Sequence, residues 1–228
     1  MRTFEGFTSN SEYSVGCTGQ TVYLYDKDGC QLAKFKDLTY AYSPLISPNG
    51  KIFVVKSTGG MLAVYSLESI SLIKKFRFSK VDGAQDDNFC FSNDSKELYN
   101  IERHNDSCTS ALSVYDTSDF SLKKRILCDD CNVALTAVEY SDGDRVFLLG
   151  FERETESGGA DKFFVGELIN DSLQNVAYIS LQEHDFYLEC KNLETHTFTC
   201  TGYITPAEYE RIKSKKHTLA RLWQYYHK

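Results

Sequence analysis

Short apolar segments alternate with groups of turn-forming residues along most of the chain, and the same arrangement returns at intervals of about 40 to 50 residues. Each copy of the repeat has an aromatic or aliphatic residue, then Ser or Thr, then two turn-forming residues, and then a new apolar segment. The four copies are Phe7-Thr8-Ser9-Asn10, Ile46-Ser47-Pro48-Asn49-Gly50, Phe91-Ser92-Asn93-Asp94 and Tyr140-Ser141-Asp142-Gly143. Asn, Asp, Gly and Pro supply the backbone geometry of tight hairpin turns, so each copy predicts a β-hairpin.

A second signature follows each of these turns at a similar distance. It is a strand that ends in a polar residue, and its copies are Val22-Tyr23-Leu24-Tyr25-Asp26, Leu62-Ala63-Val64-Tyr65-Ser66, Leu112-Ser113-Val114-Tyr115-Asp116 and Phe163-Phe164-Val165-Gly166-Glu167. A short turn then leads into a fourth apolar segment, at Gln31–Lys36, Leu72–Phe78, Leu122–Leu127 and Leu173–Ile179. Four antiparallel strands per repeat at this period are typical of propeller blades.

Two of the repeats resemble a known group of proteins. Ser47-Pro48-Asn49-Gly50-Lys51, followed by Ile52-Phe53-Val54-Val55, and the triplet Val114-Tyr115-Asp116 are similar to the WD40 and YVTN-type propeller repeat. The resemblance extends from Met1 to about Ser180. It implies a β-propeller and does not imply a particular partner or reaction.

The predicted fold is therefore all-β, a single β-propeller of about five short blades with a C-terminal α-helix. The blades are expected at residues 2–36, 39–78, 86–128, 132–180 and 185–203, and the last blade is expected to be incomplete. Its two strands are predicted at Asp185–Cys190 and Thr195–Tyr203. An alternative with four closed blades and a flanking hairpin stays open.

The pattern then changes to that of a helix, predicted at about 206–227. Thr205 is a good N-cap, Pro206 suits the first helical position and Glu208 completes a capping box. Because the chain begins on the inner strand of the first blade, no N-terminal strand is expected to complete the fifth. The helix is predicted to cover the exposed edge of that blade. The alternative is that it docks a partner or a second copy of the chain.

Composition and charge argue against nucleic-acid-binding, secreted and membrane-spanning proteins. The net charge of −7 argues against non-specific nucleic-acid binding, which requires a basic surface. The first ten residues contain no apolar signal segment, and no apolar run reaches the roughly 18 residues of a membrane span. We therefore expect a cytoplasmic protein without a membrane contact, whose eight cysteines are reduced and structural.

Acidic residues occur in every predicted loop between one blade and the next. These loops share one face of a propeller, so their charges are expected to form a negative ring that attracts a basic protein partner. The predicted partner-binding residues are Asp37, Asp82, Asp86, Asp87, Asp129, Asp130, Glu183 and Asp185. The competing interpretation is that these loops are simply solvated, in a protein that is acidic throughout.

The sequence contains no recognisable catalytic motif, and no cofactor or metal site is predicted. Cys128-Asp129-Asp130-Cys131 lacks the two further ligands of a zinc site, and Asp26-Lys27-Asp28-Gly29 lacks the downstream ligands of a calcium loop. A non-catalytic interaction module is therefore the predicted function.

Two alternatives to that prediction stay open. The first is a glycosidase-type propeller enzyme with paired carboxylates, for which Asp87, Asp130 and Asp185 are candidates. The second is an immunity-type protein that neutralises a toxin or masks a nucleic-acid-binding protein, and it differs from the interaction module only in the identity of the partner.

Overall fold

A computed structural model describes residues 3–80, 88–103, 110–127, 132–141, 143–153, 161–187, 200–201 and 218–227. The chain forms two compact units. The first unit comprises Met1–Asp86 and Lys191–Lys216, and the second comprises Asp87–Cys190 and His217–Lys228.

Each unit contains two antiparallel sheets, each made of four consecutive strands. In the first unit the sheets are β2–β5 (Gly6–Ser9, Tyr13–Cys17, Val22–Asp26, Gln31–Phe35) and β6–β9 (Ala41–Ile46, Ile52–Ser57, Met61–Ser66, Ser71–Arg77). In the second unit they are β10–β13 (Phe89–Phe91, Glu97–Arg103, Ser110–Asp116, Leu122–Leu127) and β14–β17 (Val133–Ser141, Arg145–Glu152, Lys162–Ile169, Ser172–Ile179). We call them sheets one to four. Each lies within one of the first four predicted blade ranges.

The repeated Ser of the first signature holds the turn between the first two strands of a sheet. In sheet two, the Ser47 hydroxyl accepts from the N–H of Ile52 at 3.2 Å and lies 3.0 Å from the Ile52 carbonyl, to which it can donate. In sheet three, the Ser92 hydroxyl accepts from the N–H of Glu97 at 2.9 Å. The sequence repeat is therefore a repeat of hydrogen bonding, since the hydroxyl satisfies backbone groups that the turn leaves unpaired.

The second signature also has a structural counterpart in every sheet. The register between the third and fourth strands shifts after Leu24, Val64, Val114 and Val165. In the first three sheets the next residue is a buried Tyr. In sheet one the following Asp26 accepts hydrogen bonds from the backbone N–H groups of Asp28 and Cys30, which is the hydrogen bonding of a turn.

The core of the first unit lies between sheets one and two. Val15 and Leu24 of sheet one share one buried cluster with Phe53, Val55 and Tyr65 of sheet two. The rings of Phe53 and Tyr65 stack with centroids 4.7 Å apart.

The other face of sheet one is contacted by Phe4, which belongs to a fifth, two-stranded sheet. Strand β1 (Thr3–Phe4) pairs antiparallel with β18 (Cys200–Thr201). The ring of Phe4 is buried against Phe7, Tyr23 and Tyr25, and a Cβ atom on Gly16 would lie 2.5 Å from that ring. The expectation that no N-terminal strand is available to pair with the late part of the chain was therefore wrong.

The core of the second unit has two layers, one on each face of sheet four. On one face, Val146 and Leu148 pack with Ile101 and Val114 of sheet three. On the other face, sheet four is covered by two helices, α1 (described over residues 181–187) and α2 (Leu219–Tyr226).

Both helices correct the prediction for the end of the chain. Residues 185–187 lie in α1, whereas a strand was predicted at Asp185–Cys190; residues 188–190 are outside the described part of the chain. The predicted helix 206–227 is not continuous, because Thr218 has an extended backbone and caps a helix that begins at Leu219. The helix α2 packs on the face of sheet four, not on the edge of a fifth blade. The predicted helix start at 205–208 lies outside the described residues.

Candidate functional site

Helix α1 begins at a capping box formed by Ser180 and Glu183. The N–H and hydroxyl of Ser180 donate to the Glu183 carboxylate at 2.9 and 2.7 Å, and the Ser180 hydroxyl accepts from the N–H of Glu183 at 3.2 Å. This reciprocal pairing satisfies donors that a helix start leaves unpaired. The sequence Ser-x-x-Glu is a local signal for a helix start here, whereas the prediction for this segment was a strand from Asp185.

His184 anchors α1 to sheet four. The residue is 4% exposed, and its ring centroid lies 4.6 Å from the ring centroid of Phe163. Nδ1 lies 3.2 Å from the Asp185 carboxylate and Nε2 lies 3.1 Å from the Thr136 hydroxyl. Because a carboxylate only accepts, Nδ1 donates, and in the neutral ring Nε2 accepts from Thr136.

This hydroxyl–imidazole–carboxylate order is also that of nucleophilic catalysis. Thr136 is buried, however, and its hydroxyl lies 3.2 Å from the backbone carbonyl of Leu149, a second possible acceptor. A nucleophile must reach its substrate, so burial of both Thr136 and His184 favours a structural role for the three residues.

Helix α2 is docked on sheet four by polar and apolar contacts. The Thr218 side chain accepts from the N–H of Arg221, and the buried carboxylate of Glu139 accepts from the N–H of Leu219 at 3.1 Å. Leu219 and Leu222 are buried against Phe147. An eight-residue helix is marginal by itself, so these contacts hold it in place.

Arg145 lies between sheet four and α2 and is bound from two sides. Its Nε and Nη2 donate to the two Glu167 oxygens at 2.5 and 2.8 Å. Its guanidinium carbon lies 4.8 Å from the ring centroid of Phe147 and 4.6 Å from that of Trp223. The hydrogen bonds from Arg145 stabilise the charged carboxylate and hold the pKa of Glu167 below its ordinary value.

The two helices carry four of the exposed large apolar side chains of the second unit: Leu181, Phe186, Tyr225 and Tyr226. A hydrogen bond of 2.6 Å from the Tyr226 hydroxyl to Glu183 joins α1 to α2, and the rings of Tyr225 and Tyr226 are in contact. We use the term helix surface for these four residues together with Glu183 and Asp185. Exposed aromatic side chains on a fixed backbone are typical of protein-interaction surfaces.

Three of the eight predicted partner-binding acids fall in the described residues, and they have different environments. Asp37 is half-buried in the first unit and accepts from the Tyr65 hydroxyl at 3.3 Å. Glu183 holds together α1 and α2, and its hydrogen bonds, above all that from Tyr226, lower its pKa. The side chain of Asp185 is 65% exposed. Asp82, Asp86, Asp87, Asp129 and Asp130 lie outside the described residues.

Other candidate chemistry is limited in the part of the chain that the structure describes. No group of three His, Cys, Asp or Glu residues that could hold a metal ion occurs there. Nor is any helix there long and apolar enough to cross a membrane. Cys17 is a free thiol in the core, where burial raises its pKa. The Cys128–Cys131 pair is outside the described residues.

The four consecutive four-stranded antiparallel sheets define an all-β protein, consistent with a β-propeller-like fold. A solved structure of Kuenenia stuttgartiensis hydrazine synthase is similar to this chain, with a TM-score of 0.61 and 16% sequence identity. The match covers 77% of this chain and 53% of the other, so this chain spans about half the length of that structure. At this identity the likeness shows the fold alone. No protein-family model matches the sequence, and a search of the curated proteins finds no match.

Proposed function

We propose that this protein is a non-catalytic interaction module that binds a basic protein partner through acidic residues located after the fourth strand of its sheets. Asp37 follows the last strand of sheet one, and Glu183 and Asp185 follow the last strand of sheet four. The five further acids predicted to bind the partner follow the last strands of sheets two and three in the sequence.

The observation that carries this proposal is the position of Asp185. Its carboxylate is exposed on a helix whose described residues include no Lys or Arg, and exposed Leu181 and Phe186 lie on the same helix. A negative charge beside apolar surface suits a partner that is both basic and partly apolar. By contrast, the hydroxyl and imidazole of the Thr136–His184–Asp185 arrangement belong to buried residues.

We also propose the finer details of the fold. In this proposal the repeats form a single propeller of about five blades, in which the pair β1–β18 contributes to the incomplete last blade. The burial of Phe4 against sheet one supports it, since a blade normally packs face to face with its neighbour. A cytoplasmic location stays a prediction.

The test is capture of a partner from host lysate by wild-type protein and by charge-reversed variants. One variant carries Asp185→Lys alone, and a second adds reversals of Asp86, Asp87, Asp129 and Asp130. We expect wild-type protein to recover a basic protein at low salt and to lose it at high salt, because exposed charges are screened. Both variants are expected to recover less of it at low salt.

Glu12→Lys and Glu68→Lys are the matched controls, because both residues are exposed and lie in hairpins at the opposite end of their sheets. Each changes the net charge by the same amount as Asp185→Lys. Equal recovery by the wild type and the multiply reversed variant would contradict the proposed function.

A further inference from the structure

We infer that the helix surface recognises arginine side chains of its partner in preference to lysine. This inference rests on the proposed function, since it names the chemistry by which one surface of the protein would bind a basic segment. It is carried by the charge of α1, by the exposed rings of both helices and by a site of the same composition inside the second unit.

The charge of α1 favours a cation. Its described residues include Glu183 and Asp185 and no Lys or Arg. Glu183 is already engaged by Tyr226 and Ser180. Asp185 uses one oxygen, Oδ1, toward His184, and its side chain is largely exposed. Asp185 is therefore the carboxylate that can accept from a guanidinium in solution.

The rings of the helix surface favour a flat cation. Phe186 and Tyr226 are 45% and 38% exposed, and Tyr225 is 66% exposed. These side chains belong to described helices whose other faces are buried by His184 and Leu222, so their rings are held in place on the surface. Rings presented in this way attract cations through their negatively charged faces.

Arg145 shows the same recognition chemistry within the protein. Its guanidinium donates to both oxygens of Glu167 and lies over the rings of Phe147 and Trp223. A planar guanidinium can make two parallel hydrogen bonds and stack on a ring at once, whereas the compact ammonium of lysine cannot. The helix surface offers carboxylate and rings of the same kind to a side chain from outside.

The experiment compares an arginine–glycine repeat peptide with a lysine–glycine repeat peptide of equal length and charge. Binding to the full chain is followed by NMR titration. We expect the arginine peptide to bind about 2- to 5-fold more tightly, because a guanidinium can make a second hydrogen bond and stack on a ring, whereas an ammonium cannot. Binding of the arginine peptide is expected to change the chemical shifts of residues in α1 and those of Tyr225 and Tyr226.

Variants separate the contributions of ring and charge. Phe186→Ala and Tyr225→Ala are expected to remove the preference for arginine, and Asp185→Asn is expected to weaken both peptides. Leu32→Ala, at an exposed position of β5, is the matched control. Fluorescence of Trp223, the only tryptophan in the sequence, shows whether α2 remains docked in each variant.

Equal affinity for the two peptides, or no binding of either, overturns the preference for arginine. A preference that survives in both ring variants overturns it as well. The proposed function is judged separately, by capture of a basic partner with the charge-reversed variants. Capture that depends on those charges, together with equal peptide affinities, would leave the proposed function intact and remove only this inference.

Discussion

Glu183 was predicted to bind a partner, and the structure shows that its carboxylate also holds α1 and α2 together. Hydrogen bonds from Tyr226 and Ser180 stabilise the charged form and lower its pKa, while Glu183 raises the pKa of Tyr226 to about 12. A group whose pKa is lowered by folding stabilises the fold above its unfolded value of about 4.3. That contribution is lost as the pH falls through the lower folded value.

Glu183→Gln should therefore destabilise the protein at neutral pH and have little effect in acid. We expect it to lower the Tm by about 1–4 °C at pH 7, which corresponds to about 0.5–1 kcal/mol for a weakened cap. The difference from the wild type should shrink between about pH 5 and pH 3. Thermal unfolding followed by Trp223 fluorescence checks this, and Glu68→Gln controls for the loss of one charge. A difference that does not change with pH would contradict this account of Glu183.

The roles of residues in the hairpins of the sheets were easier to predict from the sequence than the roles of residues that contact α1 and α2. The Ser of each hairpin and the polar end of each third strand depend on contacts within a few residues, so their spacing is visible in the sequence. The partners of Glu183 and Arg145 include Tyr226 and Trp223, which are distant in sequence. No local pattern indicates such pairs.

At the scale of elements, α2 is held in place by its contacts with sheet four. A mutation that removes one of these contacts is therefore expected to release the helix without unfolding the sheets. Leu222 is buried against sheet four, and replacing a buried Leu by Ala costs about 2–5 kcal/mol. Leu222→Ala is expected to release α2 before the sheets unfold, because a free helix of this length is marginal. Trp223 emission should then shift to longer wavelength while the far-ultraviolet circular dichroism remains close to that of the wild type.

Tyr225→Ala is the control, since it lies on the same helix with its side chain exposed. It should leave the emission of Trp223 unchanged in the absence of peptide. Coincident loss of Trp223 burial and sheet signal in Leu222→Ala would show that α2 is not a separately docked element.

The elements that were predicted correctly are those whose pattern repeats. The wrong predictions for the two helices are the strand placed from Asp185, which lies in α1, and the continuous helix through Thr218. The apolar residues from Phe186 onward suggested a strand, but Ser180 and Glu183 stabilise a helix start just before them. Thr218 stands at the end of a polar stretch, and its role as N-cap depends on a docking site on sheet four.

At the scale of the molecule, the pairing of β1 with β18 joins the first described residues to a segment far along the sequence. Phe4 fills the space above Gly16 and contacts three aromatic rings. Phe4→Ala is expected to cost about 3–5 kcal/mol, because it leaves a cavity in the first unit. Hydrogen exchange should speed up in β2, β3 and β4.

Leu32→Ala, on the edge strand of the same sheet, is the control for this prediction. It should leave the exchange of β2–β4 close to that of the wild type. Unchanged exchange in Phe4→Ala would mean that the two-stranded sheet contributes little to the first unit.

This pairing could not be found from the repeat. Thr3–Phe4 is too short to show a strand pattern, and its partner is separated from it by nearly the whole chain. Gly16 is a local signal of the contact with Phe4, since a glycine inside a strand often marks the close approach of another group. The acidic surface was predicted from the positions of acids in the loops between repeats. The exposed rings of α2 could not be predicted in the same way, because they depend on a helix start at Thr218 that has no counterpart in the repeat.

The pairing of Phe4 with Cys200 also bears on how the chain folds while it is being made. At 5–20 residues per second, a ribosome needs about 10–40 s to synthesise the segment between them. Throughout that time β1 has no β18 to pair with. Products that stop before Cys200 would keep β1 unpaired, which marks them as substrates for chaperones and proteases.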